Sequence, residues 1–182
     1  MNVGVFGGSF NPPHIAHVLA CTLVLSLEDL DSLVVVPTYK HPFAKSLAPF
    51  EDRTRMCELA MGWIPGVSVS RVEEELGGES RTLRTLEHLS RAHPDWRLRL
   101  VVGSDILPDA SRWFGFDEIA RLAPLIILSR AGSDGVPPLL PDVSSTLVRE
   151  AIERGAWAEA ERLVPRTVLA FLRAHHLYET KS

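Results

Sequence analysis

Five short apolar runs, Val3–Phe6, Leu33–Val36, Val67–Ser70, Leu98–Val102 and Leu125–Leu128, alternate along the chain with segments patterned as helices. Most of these runs are apolar almost without interruption, as expected of strands covered on both faces in a parallel sheet. Helices are expected at about 15–27, 51–62, 82–92 and 116–122, with Ile15, Val18, Leu19 and Thr22 as the inward stripe of the first. Strand and helix in strict alternation give a doubly wound α/β sheet whose strand C-termini line a cleft. Two further helices, near 156–163 and 166–175 and separated at Pro165, make a small helical C-terminal extension over about 144–182. With 182 residues and 46% hydrophobic content, the chain can bury one core, so 1–182 is expected to be a single domain.

The first apolar run breaks into Gly7-Gly8-Ser9-Phe10-Asn11-Pro12-Pro13-His14-Ile15-Ala16-His17. Glycines without a Cβ let an anion approach backbone N–H groups, and the start of a helix adds unpaired donors and a positive dipole end. Pro12 and Pro13 end the strand and lead into the helix, which puts His14 and His17 in its first turn on a shared face. Taken alone, the segment also fits an ordinary glycine turn followed by two satisfied histidines. A metal site is disfavoured: no Cys is near, the spacing is not His-Glu-x-x-His, and no third ligand is at hand, so no metal-ligating residue is assigned. The dinucleotide fingerprint and the P-loop pattern are both absent.

A second segment, Val143-Ser144-Ser145-Thr146-Leu147-Val148-Arg149, opens another helix. Ser144 or Ser145 would cap it, Thr146 adds a hydroxyl, and Arg149 lies one turn in, able to fork onto phosphate. By itself this is equally an ordinary capped helix with a solvated arginine. Gly103-Ser104-Asp105 follows the fourth apolar run at the same sheet edge and fits either a common turn or a contact to ribose hydroxyls. Trp113, a short way on, offers a flat face. The loop 38–46 holds Lys40, His41 and Lys45, two of the three lysines in the chain, which suit either a solvated loop or a polyphosphate.

The first segment resembles the nucleotidylyltransferase superfamily signature Gly-Ser/Thr-Phe-Asp/Asn-Pro-x-His-x-Gly-His, with Ala16 in place of the last glycine, and the second resembles its Ile-Ser-Ser-Thr-x-Ile-Arg motif. Within the superfamily, further stretches are similar to the bacterial nicotinate-nucleotide adenylyltransferases. Ser80-Arg81-Thr82-Leu83-Arg84-Thr85-Leu86 follows their Ser-Tyr-Thr-x-x-Thr-Leu segment, with Arg81 replacing tyrosine, Ser129-Arg130 follows the fifth strand, and Val164-Pro165, Val168, Phe171 and His176-Leu177-Tyr178 follow their C-terminal pattern.

The resemblance implies a Rossmann-like fold and transfer of AMP from ATP to nicotinate mononucleotide, with Mg²⁺ held mainly by substrate phosphates. It implies His14, His17 and Arg149 as catalytic residues. Gly7, Gly8, Ser9, Phe10, His17, Gly103, Asp105, Ser144, Ser145, Thr146 and Arg149 would bind ATP, and Lys45, Thr82, Trp113 and Arg130 the acceptor. A sister transferase acting on nicotinamide mononucleotide or another phosphate acceptor, or a nucleotide-binding sensor without catalysis, are the alternatives.

A net charge of −4 and the lack of a long basic run argue against nucleic acid as a partner. Cys21 and Cys57 lie in apolar, helix-like surroundings without Cys-x-x-Cys spacing and are expected to be reduced core residues. With neither a signal-peptide pattern nor a membrane-length apolar span, the expected setting is cytoplasmic and away from membranes. Homo-oligomerisation stays open.

Overall fold

The computed structural model describes residues 1–41, 46–104, 113–129 and 140–180. Five parallel strands form one sheet in the order β3-β2-β1-β4-β5, with β1 Asn2–Gly8, β2 Ser32–Pro37, β3 Val67–Val69, β4 Arg97–Gly103 and β5 Leu125–Leu128. The helices are α1 Ile15–Leu27, α2 Phe50–Met61, α3 Val72–Leu76, α4 Thr82–Ala92, α5 Phe116–Leu122, α6 Ser145–Glu153, α7 Trp157–Ala160 and α8 Arg166–Ala174.

Successive residues of each strand point to opposite faces, and each face has its own core. On one face Leu33, Val35, Val101, Ile126 and Leu128 meet Ala20, Cys21 and Val24 of α1, Met56, Cys57, Ala60 and Met61 of α2, and apolar residues of α6–α8. On the other, Val3, Val5, Val34, Val36, Leu98, Leu100 and Val102 meet Val72 of α3, Leu83, Leu86 and Leu89 of α4, and Ile119 of α5. Helices on both faces are what the uninterrupted apolar strands require. The C-terminal segment buries Val148, Ile152, Val164, Val168 and Leu172 in the same cluster as the sheet. Within β1, Gly4 lets the Leu33 and Leu30 side chains close in, since a Cβ there would lie 2.6 Å from Leu33 Cδ1 and 2.9 Å from Leu30 Cδ1 and would make those chain ends shift.

The inward stripe of α1 follows the sequence expectation only in part: Ile15 and Val18 are half-buried, Val18 packing against the core, but the fully buried side is another. Ala16, Ala20, Cys21 and Val24 are buried, whereas Leu19 is 42% exposed and Thr22 is also exposed. This helix is apolar nearly all round, so periodicity could not single out the buried side, and small residues won it because they allow close approach to the sheet. The short α3 was not foreseen; one turn of Val72-Glu73-Glu74-Glu75-Leu76 is too brief to leave a periodic signal. It is stopped by Gly77 at φ +65°, a left-handed conformation that glycine adopts without strain.

Sheet order places the cleft. The chain lays β1, β2 and β3 outward in one direction and returns to put β4 on the far side of β1. Pairing between β1 and β2 runs on to Gly8 and Pro37, but pairing between β1 and β4 ends at Val5 and Leu100. The last residues of β1 and β4 therefore part, and a ligand space opens at the switch point.

Candidate active site

That opening is a cleft of about 410 Å³ bordered by Phe6-Gly7-Gly8-Ser9 from β1, Val101-Val102-Gly103 from β4, Ser80-Arg81-Thr82 before and at the start of α4, and Trp113. A Cβ on Gly7 would meet nothing within 4 Å, so this glycine leaves free space at the strand end. Gly8 is constrained differently: a Cβ would lie 3.2 Å from the Phe10 ring. Phe10 is buried at φ +45° and packs edge-on against Phe6 at 5.5 Å and His17 at 4.9 Å between centroids. The aromatic of the first segment is thus a wedge that seats a histidine.

His14 caps α1 and His17 is its third residue. Their rings stack with centroids 3.7 Å apart. The His14 N–H donates to His17 Nδ1 at 3.1 Å, which in the neutral ring leaves the proton on Nε2. His17 is half-buried and presents that Nε2–H as a donor, whereas His14 is 2% exposed and offers almost no surface to a ligand in this state. Ala16 is also 2% exposed, so the methyl that departs from the family pattern adds little to the cleft wall.

The second segment folds directly onto the first. Ser144 is the N-cap of α6, its hydroxyl accepting from the Leu147 N–H at 3.2 Å. Ser145 Oγ donates to the Pro12 carbonyl at 2.8 Å. Arg149 donates through Nη1 to the Asn11 carbonyl at 2.8 Å and through Nη2 to Thr146 Oγ1 at 3.1 Å. A guanidinium carries five N–H donors, so Arg149 keeps capacity for an anion while being held by the loop it serves.

Other expected residues divide. Gly103 and Trp113 border the cleft, with Trp113 half-buried against the α4 and α5 side of the core. Thr82 borders it too, but as the first residue of α4; the N-cap is Arg81, and no side chain caps this end. Thr82 is therefore not the cap of this helix, since its backbone is already helical. Arg81 is exposed and paired with Glu79 at 2.8 Å. Lys45, Asp105 and Arg130 lie outside the described residues.

A family model described as cytidylyltransferase-like matches residues 5–151, a span that contains both segments. A protein of Anaeromyxobacter dehalogenans (strain 2CP-C) named "Probable nicotinate-nucleotide adenylyltransferase" is 43% identical over 97% of this chain and 96% of its own length. This chain belongs to the nicotinate-nucleotide adenylyltransferase family. A Myxococcus xanthus relative with the same name is 40% identical over all of this chain and 96% of its own. The fold of this family member matches that of Plasmodium falciparum nicotinic acid mononucleotide adenylyltransferase complexed with NaAD, with a TM-score of 0.85 at 18% identity over 97% of both chains.

Three residues that frame the site were not singled out from sequence. Arg53 of α2 is 1% exposed and donates to the carbonyls of Ser9 at 2.9 Å, Ala48 at 2.9 Å and Tyr39 at 3.5 Å. Burial pushes its pKa down from the ordinary value, with the phenol of Tyr178, the thiol of Cys57 and the carboxyl of Glu73 acting the other way. Glu73 accepts from Tyr39, Ser80 and Thr85. Tyr178, near the end of the described chain, donates its hydroxyl to Asn11 Oδ1 at 2.7 Å. Only the C-terminal pattern that included Tyr178 carried a sequence signal; charge runs such as Glu51-Asp52-Arg53 and Glu73-Glu74-Glu75 are the ordinary composition of solvated faces and mark no site.

Cys21 and Cys57 are free and buried as expected, and desolvation pushes the Cys21 thiol up to about 12 and that of Cys57 well above its ordinary value. Among the described residues no group of three or more His, Cys, Asp or Glu could hold a metal ion, and no helix is long and apolar enough to cross a membrane.

Proposed function

We propose that this chain transfers AMP from ATP to nicotinate mononucleotide, giving nicotinate adenine dinucleotide and pyrophosphate. The observation that carries the reading is the docking of the Ser144–Arg149 segment onto the Asn11–His17 segment, beside a cleft walled by Trp113 and the uncapped start of α4. The names of the relatives support the choice of acceptor.

In this reading a phosphate oxygen of the acceptor attacks the α-phosphorus of ATP, the bond from that phosphorus to the bridging oxygen breaks, and pyrophosphate leaves with the electron pair. The nucleophile is already anionic and needs no protein base. What the protein must supply is alignment of two anions and neutralisation of the charge they accumulate. His17 Nε2–H donates to an α-phosphate oxygen. Arg149 and the N–H groups at the start of α6 receive the outgoing phosphates, and His14 fixes the His17 ring from beneath and through its N–H. The donors of the site are imidazole, guanidinium and amide N–H, which suit phosphate oxygens and not a hard cation, so Mg²⁺ would be held by ATP phosphates and water and would offset their charge.

The acid should be preferred to the amide. The first N–H groups of α4 point out of an uncapped helix end and favour a carboxylate, whereas an amide NH₂ would face donors it cannot pair with. That mismatch of about 1–3 kcal/mol corresponds to roughly ten- to a hundred-fold in kcat/KM. Arg81, engaged with Glu79, adds little to this preference. The test is pyrophosphate release with ATP, Mg²⁺ and each mononucleotide in turn. Release with neither, despite ATP binding, overturns the enzymatic reading, and equal or better kcat/KM for nicotinamide mononucleotide overturns the choice of acceptor.

A further inference from the structure

We propose that Glu73 is a positioning residue for the acceptor side of the site, acting through Ser80 and Thr85 to place the start of α4 against the ligand. The inference rests on the reading above that the cleft takes a pyridine mononucleotide. Glu73 lies on the cleft wall in α3, and its two carboxylate oxygens gather three donors, two from different loops and one from α4. One oxygen accepts from the Tyr39 N–H at 3.0 Å and from the Ser80 hydroxyl, and the other accepts from the Thr85 hydroxyl at 3.1 Å. Ser80 is then committed: its oxygen also accepts from the Tyr39 N–H at 2.9 Å and the Lys40 N–H at 3.3 Å, and its own N–H donates to the Lys40 carbonyl at 2.9 Å.

Two consequences follow from that geometry. Ser80 and Thr85, both part of the segment resembling the family pattern, have hydroxyls directed to Glu73 and not to a ligand; Thr85 is only 4% exposed. What the wall can offer a pyridine substituent is therefore the Thr82 hydroxyl and the first amides of α4, whose position is set by residues on either side of them that Glu73 holds. The clamp also ties them to Tyr39, just beyond the end of β2, so acceptor wall and sheet move together. Its neighbours serve otherwise, Glu74 pairing with Arg71 at 2.7 Å and Glu75 facing solvent. Among the described residues no Lys, Arg or His forms an ion pair with Glu73; its hydrogen bonds come from neutral donors, with the charge of buried Arg53 acting on it through space, and the arrangement depends on all of those donors being in place.

Steady-state pyrophosphate release by the full chain, with ATP and nicotinate mononucleotide varied separately, tests this. Glu73→Ala should raise KM for the mononucleotide about tenfold or more, as expected for displacing a ligand-binding element, with KM for ATP within about threefold of wild type. Glu73→Gln keeps an oxygen for Tyr39 and Ser80 and lets Thr85 accept from its NH₂, so it should restore wild-type KM to within about threefold. Ser80→Ala, which removes the bridging hydroxyl alone, should reproduce the selective rise, and decides the matter if Glu73→Ala fails to fold. Equal changes in both KM values, no rescue by Gln, or a Ser80→Ala enzyme with wild-type constants overturns the positioning role. Absence of turnover by wild type with nicotinate mononucleotide is a separate outcome that fails the functional reading instead.

Discussion

At the residue scale, two cationic or proton-donating side chains divide the work between contact and support. His17 is oriented by its own helix, with Nδ1 accepting from the His14 N–H and the ring proton therefore on Nε2, so the proposed hydrogen bond to the α-phosphate should strengthen as charge moves onto that oxygen. His17→Ala is expected to lower kcat by about 10²-fold or more with a smaller effect on KM for ATP. Steady-state kinetics on a mutant with wild-type melting behaviour would check it, and an unchanged kcat would remove His17 from the chemistry. Arg53 supports from behind, satisfying the carbonyls of Ser9, Tyr39 and Ala48. Replacing it by Leu leaves those acceptors without their donor and should cost about 2–4 kcal/mol in urea denaturation. Lys cannot reproduce the three-way fork, so Arg53→Lys should recover less than half of that loss. The difference in legibility between these two residues is physical. His17 stands in a segment whose glycines, prolines and helix start point to an anion, whereas an arginine after Glu51 and Asp52 looks like surface until the loops it threads are seen.

At the scale of elements, the strand–turn–helix unit at the end of β1 uses its two glycines for different purposes. A methyl on Gly7 enters open cleft, whereas one on Gly8 presses on the Phe10 ring that seats His17. Gly7→Ala should therefore melt within about 0.5 kcal/mol of wild type while weakening ligand binding, since the new group touches no protein neighbour. Gly8→Ala should be destabilised by about 1–3 kcal/mol as the ring is displaced. Thermal melts paired with ATP titrations separate the two, and comparable stability for both would refute the wedge role of Phe10. Element identity was legible because strands buried on both faces and helices of three turns leave long apolar signatures; all five strands and the helices between 15 and 122, apart from α3, lie where the pattern put them, to within about two residues. Which side of α1 is buried was not legible, because that helix has no polar face to exclude from the core.

For the whole molecule, the contact that matters most joins residues 167 positions apart, from Tyr178 to Asn11. A doubly wound sheet with the glycine turn at the edge formed by its strand C-termini could be expected from the alternating pattern, but a tie from the end of the chain back to its first loop depends on how α6–α8 pack, which no local pattern encodes. Asn11 is 2% exposed and gathers three segments of the chain: its Oδ1 accepts from Tyr178 and from the Ala48 N–H at 2.9 Å, and its carbonyl accepts from Arg149. Tyr178→Phe keeps the ring and removes only the donor, so it should cost about 1 kcal/mol of stability and raise KM for ATP a few-fold through a looser Asn11 loop, leaving KM for the acceptor nearly unchanged. The pH dependence distinguishes this from a packing effect. Burial pushes the Tyr178 phenol above its ordinary value of 10.0, so the folded chain keeps the proton where the unfolded chain releases it. The stabilisation is then complete below pH 10.0 and declines as pH climbs past that value towards the raised folded one, a decline Tyr178→Phe cannot show. Denaturation at pH 8 and at a pH above 10.0 should find the gap between wild type and mutant narrowing, and a gap that stays constant would mean the hydroxyl is not the group that ties the C-terminal helices to the Asn11 loop.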